Sequence, residues 1–196
     1  PSRAVKPPTI ADSPTSKCPS PTFPVLSPSR HRRNGTYPRE FFSLDSLNRL
    51  VPHDLAAVLE LDAGTLRVLA SRGSLSNPKI IDHSLELDRF PSIQKALEIR
   101  RPVILEEHDH SGDEGDPYDG VVDLPHGHSC MVVPLYSGDR TLGLMTFDRV
   151  VCGTYDESTI ALADVYGQII SLAFLYSEQA ELLERYRERM DEHNRV

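Results

Sequence analysis

The sequence predicts an α+β domain: an antiparallel sheet flanked by helices and closed by a long C-terminal helix. Three observations predict it. Apolar runs at 55–61 and 66–70 flank the turn residues Asp62, Ala63 and Gly64, and a second pair at 128–135 and 141–148 flanks the turn at Tyr136–Arg140, so two β-hairpins are expected. Helical patterns precede and separate them. From Glu157 to the end the chain is helix-forming throughout.

The elements follow in order. Phe41, Phe42, Leu44, Leu47 and Leu50 fall at helical spacing, which predicts a short helix over 40–51. The first hairpin follows. Residues 91–100 open with Pro91 ahead of helix formers, which suits a short helix. Pro102–Leu105 reads as a short buried strand. Residues 106–127 (EEHDHSGDEGDPYDGVVDLPHG) are acidic and rich in Gly and His, and a loop of that length inside a domain is usually functional or disordered. The second hairpin comes next.

Asp156 and Ser158 are available to cap the last helix. Its first half is apolar on most faces and is expected to pack against the domain or a partner. Its second half is strongly charged. Ile169, Tyr176, Leu183 and Met190 recur every seven residues, Leu172 and Tyr186 lie three further on, and Gln179 interrupts that second row. Two readings stand: a coiled-coil linker, which would make the chain a homodimer, or a single amphipathic helix fraying into solvent.

Residues 1–38 carry nine of the sixteen prolines, with Ser, Thr and Arg between them. Proline fixes φ and removes a donor, and few apolar residues are present to offset the cost of ordering, so a disordered arm is expected. The globular sensor part is then 39–176, and 177–196 is the charged helical linker. The net charge of −8 conceals a basic arm, with seven Lys/Arg against two Asp/Glu in residues 1–40, and an acidic body. That body argues against direct nucleic-acid binding by the folded domain. No apolar run reaches the ~18 residues of a membrane span and no secretory pattern opens the chain, so the cytoplasm is expected, with no membrane contact. Three widely spaced cysteines, Cys18, Cys130 and Cys152, do not form a disulfide framework.

The residues with chemistry to offer lie in three places: Asp116 and Asp119 in the loop, His128 and Cys130 at the start of a strand, and Asp148 at the end of the next. His128 and Cys130 are two apart and share a strand face, and the hairpin returns Asp148 to the same end. Five ligands are therefore placed to converge. Mixed O, N and S donors suit ferrous iron or zinc better than Ca²⁺ or Mg²⁺. The alternative is ordinary loop acids and a small buried strand cysteine. His108 and His110 read as solvated loop residues.

Residues from about 40 to 180, with hairpin, variable loop and closing helix, resemble the GAF domain family. The stretch 116–148 is similar in particular to the sensor domain of NorR-type regulators, the nitric-oxide-responsive activators of sigma-54-dependent transcription. DPYDG (116–120), the H-x-C triplet (128–130), Pro134-Leu135, Gly143 and Asp148 carry the resemblance. It implies a mononuclear non-haem Fe(II) that binds nitric oxide, with Asp116, Asp119, Cys130 and Asp148 as ligands. His128 would be a ligand or would orient one, and Tyr118 would stand in the pocket. It also implies an ATPase domain of the same regulator as the partner, reached through the helix from Glu157. The regulators' helix arginines correspond here to Ser92 and Glu98, with Arg100 and Arg101 close by, so Arg101 is the candidate pocket arginine. No G-x-x-x-x-G-K-[ST] loop occurs, so a fragment of a longer regulator is expected.

Two other functions stay open. One is a GAF module that binds a small organic ligand, or only dimerises, without metal. The other is a GAF-type methionine sulfoxide reductase, with Cys130 and Cys152 as attacking and resolving thiols. No Ser/His/Asp arrangement or Gly-rich nucleotide loop is present, so a non-enzymatic sensor is the leading expectation.

Overall fold

The structure, a computed structural model, describes residues 47–108, 115–125, 127–151, 153 and 155–195. Its elements are β1 (Leu55–Asp62), β2 (Thr65–Arg72), α1 (Pro78–Ile81), β3 (Ser84–Glu86), α2 (Pro91–Ile99), β4 (Val103–His108), β5 (His128–Ser137), β6 (Arg140–Arg149) and α3 (Glu157–His193). The six strands form one antiparallel sheet in the order β3-β2-β1-β6-β5-β4. Both expected hairpins are present, and the strand expected at 102–105 is β4. The helix expected over 40–51 is described only at its end. There Leu50 and Val51 donate to the Leu47 carbonyl, while Leu47 and Val51 are buried. The arm expected at 1–38 lies outside the described residues.

The central strands are apolar on both faces because both faces are covered. On one side Ala56, Val58, Met131, Val133, Met145 and Phe147 pack under α3. On the other, Leu55, Ala57, Leu59, Val132 and Leu144 pack under α1, α2 and the loop around Tyr118. That second face carries the site. Strand β2, next to the short edge strand β3, alternates instead, with Leu66 and Val68 buried and Arg67 exposed between them.

Helix α3 begins where Asp156, extended at ψ 161°, accepts the Thr159 N–H at 2.7 Å. Hydrogen bonds from the Thr159 N–H, and then from the Ser158 hydroxyl, hold the Asp156 carboxyl below its usual range. Ala163, Gly167, Ile170, Phe174 and Ser177 turn toward the sheet. Close approach requires Gly167, since a Cβ there would meet Val133 Cγ1 at 2.8 Å. Ser171 fastens the contact by donating to the Gly167 carbonyl at 2.9 Å and accepting the Tyr136 N–H at 3.1 Å. Ser177 is the last buried residue of the helix.

Three short elements were not expected: α1, β3 and a 3-10 turn at Leu87–Arg89. Helix α1 has four residues and β3 has three, too short for any periodicity to register. Asn77 caps α1 by accepting the Lys79 N–H at 2.9 Å, and its amide donates to the Val121 carbonyl at 3.1 Å. This short helix therefore holds the loop that roofs the site.

Candidate functional site

β5 and β6 are in register with Cys130 opposite Asp148 and Val132 opposite Thr146. Cross-strand partners share a face, so Cys130, Asp148 and Thr146 meet over the α1–α2 side of the sheet. His128, two residues before Cys130, lies on the same face, and its Nε2 stands 4.0 Å from Asp148 Oδ1. The Pro125 carbonyl lies 3.0 Å from His128 Nδ1 and orients the ring. All four side chains are buried: His128 1 %, Cys130 7 %, Thr146 7 % and Asp148 2 % exposed.

The loop supplies the roof. Asp116 accepts the Tyr118 N–H at 2.7 Å and the Asp119 N–H closes on the Asp116 carbonyl at 3.2 Å, a turn that drives Tyr118 inward. The Tyr118 hydroxyl lies 2.9 Å from Thr146 Oγ1. His83 Nε2 meets the Pro117 carbonyl at 2.6 Å, and the His83 and Tyr118 rings lie 5.9 Å apart. The cavity beneath the roof is partly open and measures about 40 Å³. Leu85, Ile93, Leu105, Leu124 and Leu144 make its apolar walls, and Tyr118, His128, Cys130, Thr146 and Asp148 its polar end. Tyr118→Phe is expected to remove a buried hydrogen bond worth about 1 kcal/mol and to speed amide hydrogen exchange across 116–122, as read by mass spectrometry.

Electrostatically, the centre is Asp148. Burial raises its carboxyl to about 7, opposed by hydrogen bonds from Cys130 and Thr146 and reinforced by the charge of Asp116. Among the described residues its Oδ2 has no hydrogen-bond partner. Burial, and then Asp148, push the Cys130 thiol well up; burial and Asp148 also push the Tyr118 phenol well up. A buried polar pocket holding an incompletely satisfied carboxyl is expensive unless something arrives to complete it. Groups perturbed in this way cluster at functional sites.

The expected five-ligand set is only partly assembled. His128, Cys130 and Asp148 come together, and Asp116 acts on Asp148 through its charge. Asp119 is exposed, because the turn that buries Tyr118 points the next residue outward. Arg101 is also exposed and does not line the cavity. The left-handed conformation of Arg100, φ 56°, ends α2 at the surface, where Arg100 binds the Gly138 carbonyl and Asp139. Among the described residues, no three His, Cys, Asp or Glu side chains stand at the spacing of a formed metal site. Tyr118 lines the cavity. Thr146, His83 and Asn77 were missed. Thr146 was within reach of the sequence, two residues before Asp148 on the same strand face. His110, His126 and Cys152 lie outside the described residues, as does the side chain of His108.

The family model described as GAF domain matches residues 43–174. Among curated proteins, Regulatory protein LuxO of Vibrio cholerae serotype O1 is 25% identical over 164 residues, 77% of this chain and 29% of the relative. The chain thus spans less than a third of that relative's length. Among solved structures, the GAF domain/HD domain protein from Geobacter sulfurreducens superposes with a TM-score of 0.59 at 17% identity, covering 69% of this chain and 88% of that one. Free methionine-R-sulfoxide reductase from Neisseria meningitidis, solved with its substrate, gives 0.54 at 18% identity over 70% of this chain and 77% of that one. Identities this low establish the shared fold.

Proposed function

The chain belongs to the GAF domain family of regulatory sensor modules, and on that premise we propose that it is the cytoplasmic input domain of a sigma-54-dependent transcription regulator, whose signal enters at His128, Cys130 and Asp148. The observation that carries this reading is the buried Asp148 carboxyl, whose Oδ2 has no partner among the described residues, beside an imidazole and a thiol in a small cavity. At about 40 Å³ the cavity has room for an ion or a diatomic molecule. Organic ligands need pockets of roughly 300 Å³ and upward. The site is therefore read as a divalent-metal centre that takes a small gas.

The donors fit such a metal in kind. Nitrogen, sulfur and carboxylate oxygen together suit Fe(II). His128, Cys130 and Asp148 would hold it, with Asp116 the nearest further carboxylate, and Asp119 remains outside. When bound, the metal would supply an open position for nitric oxide. The protein's own part is to exclude water with Tyr118 and Leu124, to orient His128 through the Pro125 carbonyl, and to hold Asp148 between Cys130 and Thr146. The loop and β5 both contact the site, and β5 packs directly under α3. A change at Cys130 or Asp148 thus has a short path to the helix that leads toward an ATPase domain of the same regulator.

The purified chain, loaded anaerobically with ferrous iron and exposed to nitric oxide, is expected to give the half-integer-spin electron paramagnetic resonance signal of non-haem iron with nitric oxide. Substoichiometric iron and no signal would overturn the metal reading. The apolar walls favour a second reading, a small organic effector bound once the loop opens; binding would then survive Cys130→Ser. A thiol-based reductase fits less well, because an attacking cysteine needs a lowered pKa and that of Cys130 is raised.

A further inference from the structure

The roof over the cavity is tied down in two ways. Outside the cavity, His83 Nε2 meets the Pro117 carbonyl at 2.6 Å, and the Asn77 amide donates to the Val121 carbonyl at 3.1 Å. Inside it, the Tyr118 hydroxyl lies 2.9 Å from Thr146 Oγ1. Thr146 is 7% exposed and stands two residues before Asp148, so both side chains leave the same face of β6 and line the same cavity. A threonine hydroxyl has a single proton to donate, and an ionised carboxylate, the form a metal takes, only accepts. Thr146 hydrogen-bonds Asp148, which spends that proton, so Tyr118 is the donor in its pair with Thr146. The bonds then run one way, from Tyr118 to Thr146 to Asp148. Bonds aligned in this way polarise one another in a low-dielectric interior.

Resting on the reading of His128, Cys130 and Asp148 as a metal centre, we propose that Thr146 positions the Asp148 carboxylate and couples it to the roof, so that closure of 116–122 and metal occupancy favour one another through a single hydroxyl. With the roof closed, Tyr118 holds the Thr146 hydroxyl with its proton on Asp148. That fixes the carboxylate and leaves Oδ2, which has no partner among the described residues, for an incoming cation. With the roof lifted, the Thr146 hydroxyl turns freely and the carboxylate loses its alignment. Outer partners of this kind orient a ligating group without touching the metal. The coupling is reciprocal: whatever factor closure adds to metal affinity, the metal adds to closure. His83 and Asn77, on either side of α1, thereby act on the metal centre from outside the cavity. Tyr118 acts on it through Thr146 and not by ligation.

The test titrates the full chain anaerobically with Co(II) by absorbance and reads amide hydrogen exchange of 116–122 with and without the metal. In the wild type, Co(II) is expected to slow exchange across 116–122. Thr146→Val is expected to bind Co(II) about 10–100-fold more weakly, to keep the thiolate-to-cobalt band because Cys130 is untouched, and to lose the slowing of the roof. Thr146→Ser keeps the hydroxyl and is expected to restore both. Tyr118→Phe is expected to weaken Co(II) binding about fivefold, the equivalent of one hydrogen bond, when Thr146 is present and to add nothing to Thr146→Val. If Thr146→Val does not fold, Tyr118→Phe and His83→Ala carry the test, and unchanged Co(II) affinity in both would overturn the proposal. A wild type that takes up no Co(II) overturns the metal reading, and the coupling with it. Uptake by the wild type with equal affinity in Thr146→Val, a loss that Thr146→Ser shares in full, or a roof that Co(II) still protects in Thr146→Val would each overturn the coupling alone and leave the metal centre standing.

Discussion

Asp148→Asn is expected to make the protein more stable at pH 8 and to abolish effector binding. The carboxyl is 2% exposed, its Oδ2 has no partner among the described residues, and burial raises it to about 7 from an ordinary 3.8. The folded pKa exceeds the unfolded one, so between these values the native state binds the proton that the unfolded chain has released. Its contribution to stability is therefore fully present below about pH 4 and is lost as pH rises to about 7. Three units correspond to about 4 kcal/mol as an upper bound. Asparagine keeps the shape, accepts from Cys130 and Thr146, and carries no charge to desolvate. Urea unfolding at pH 5 and pH 8 measures the effect. Wild-type stability is expected to fall between the two, with the variant nearly flat and above it at pH 8. An equal loss at both values would show that the carboxylate is paid for in the folded state and that the site is structural. A gain in stability with a loss of function is the expected signature of a functional residue.

Gly143→Ala carries the second large effect, in the opposite direction. Gly143 sits in β6 opposite Glu60, with φ +159°. A Cβ there would lie 2.0 Å from the Leu59 carbonyl oxygen and 3.0 Å from its carbon. Those atoms belong to the backbone of the central strand β1 and cannot rotate away. The β1–β6 ladder must separate locally or the strand must shift, at a cost of about 3 kcal/mol or more. Thermal unfolding followed by circular dichroism reads this as a clear drop in Tm; a change too small to measure would contradict the close packing of the two strands.

The hairpins were legible because each strand has enough residues to show an apolar run and each pair has turn chemistry between. Helix α3 was legible through its length and its Asp156 cap. Helix α1 and β3 were not, since Leu85 is the single buried residue of β3 and one residue has no period. In the site, His128 and Cys130 followed from the two-residue period of a strand, and Asp148 from hairpin register. Tyr118 came from resemblance alone. Asp119 and Arg101 were misplaced because single residues decide them: a turn closed on the Asp116 carbonyl, and a left-handed Arg100. The clamps at His83 and Asn77 join residues 34 and 44 apart in sequence, a pairing that no local pattern announces.

The claim that His128, Cys130 and Asp148 form a metal-accepting input site is tested most directly with Co(II). Added anaerobically to the purified chain, it should bind one equivalent and show a thiolate-to-cobalt charge-transfer band that Cys130→Ser abolishes. Absence of both binding and band in the wild type, or a band that survives Cys130→Ser, would contradict it.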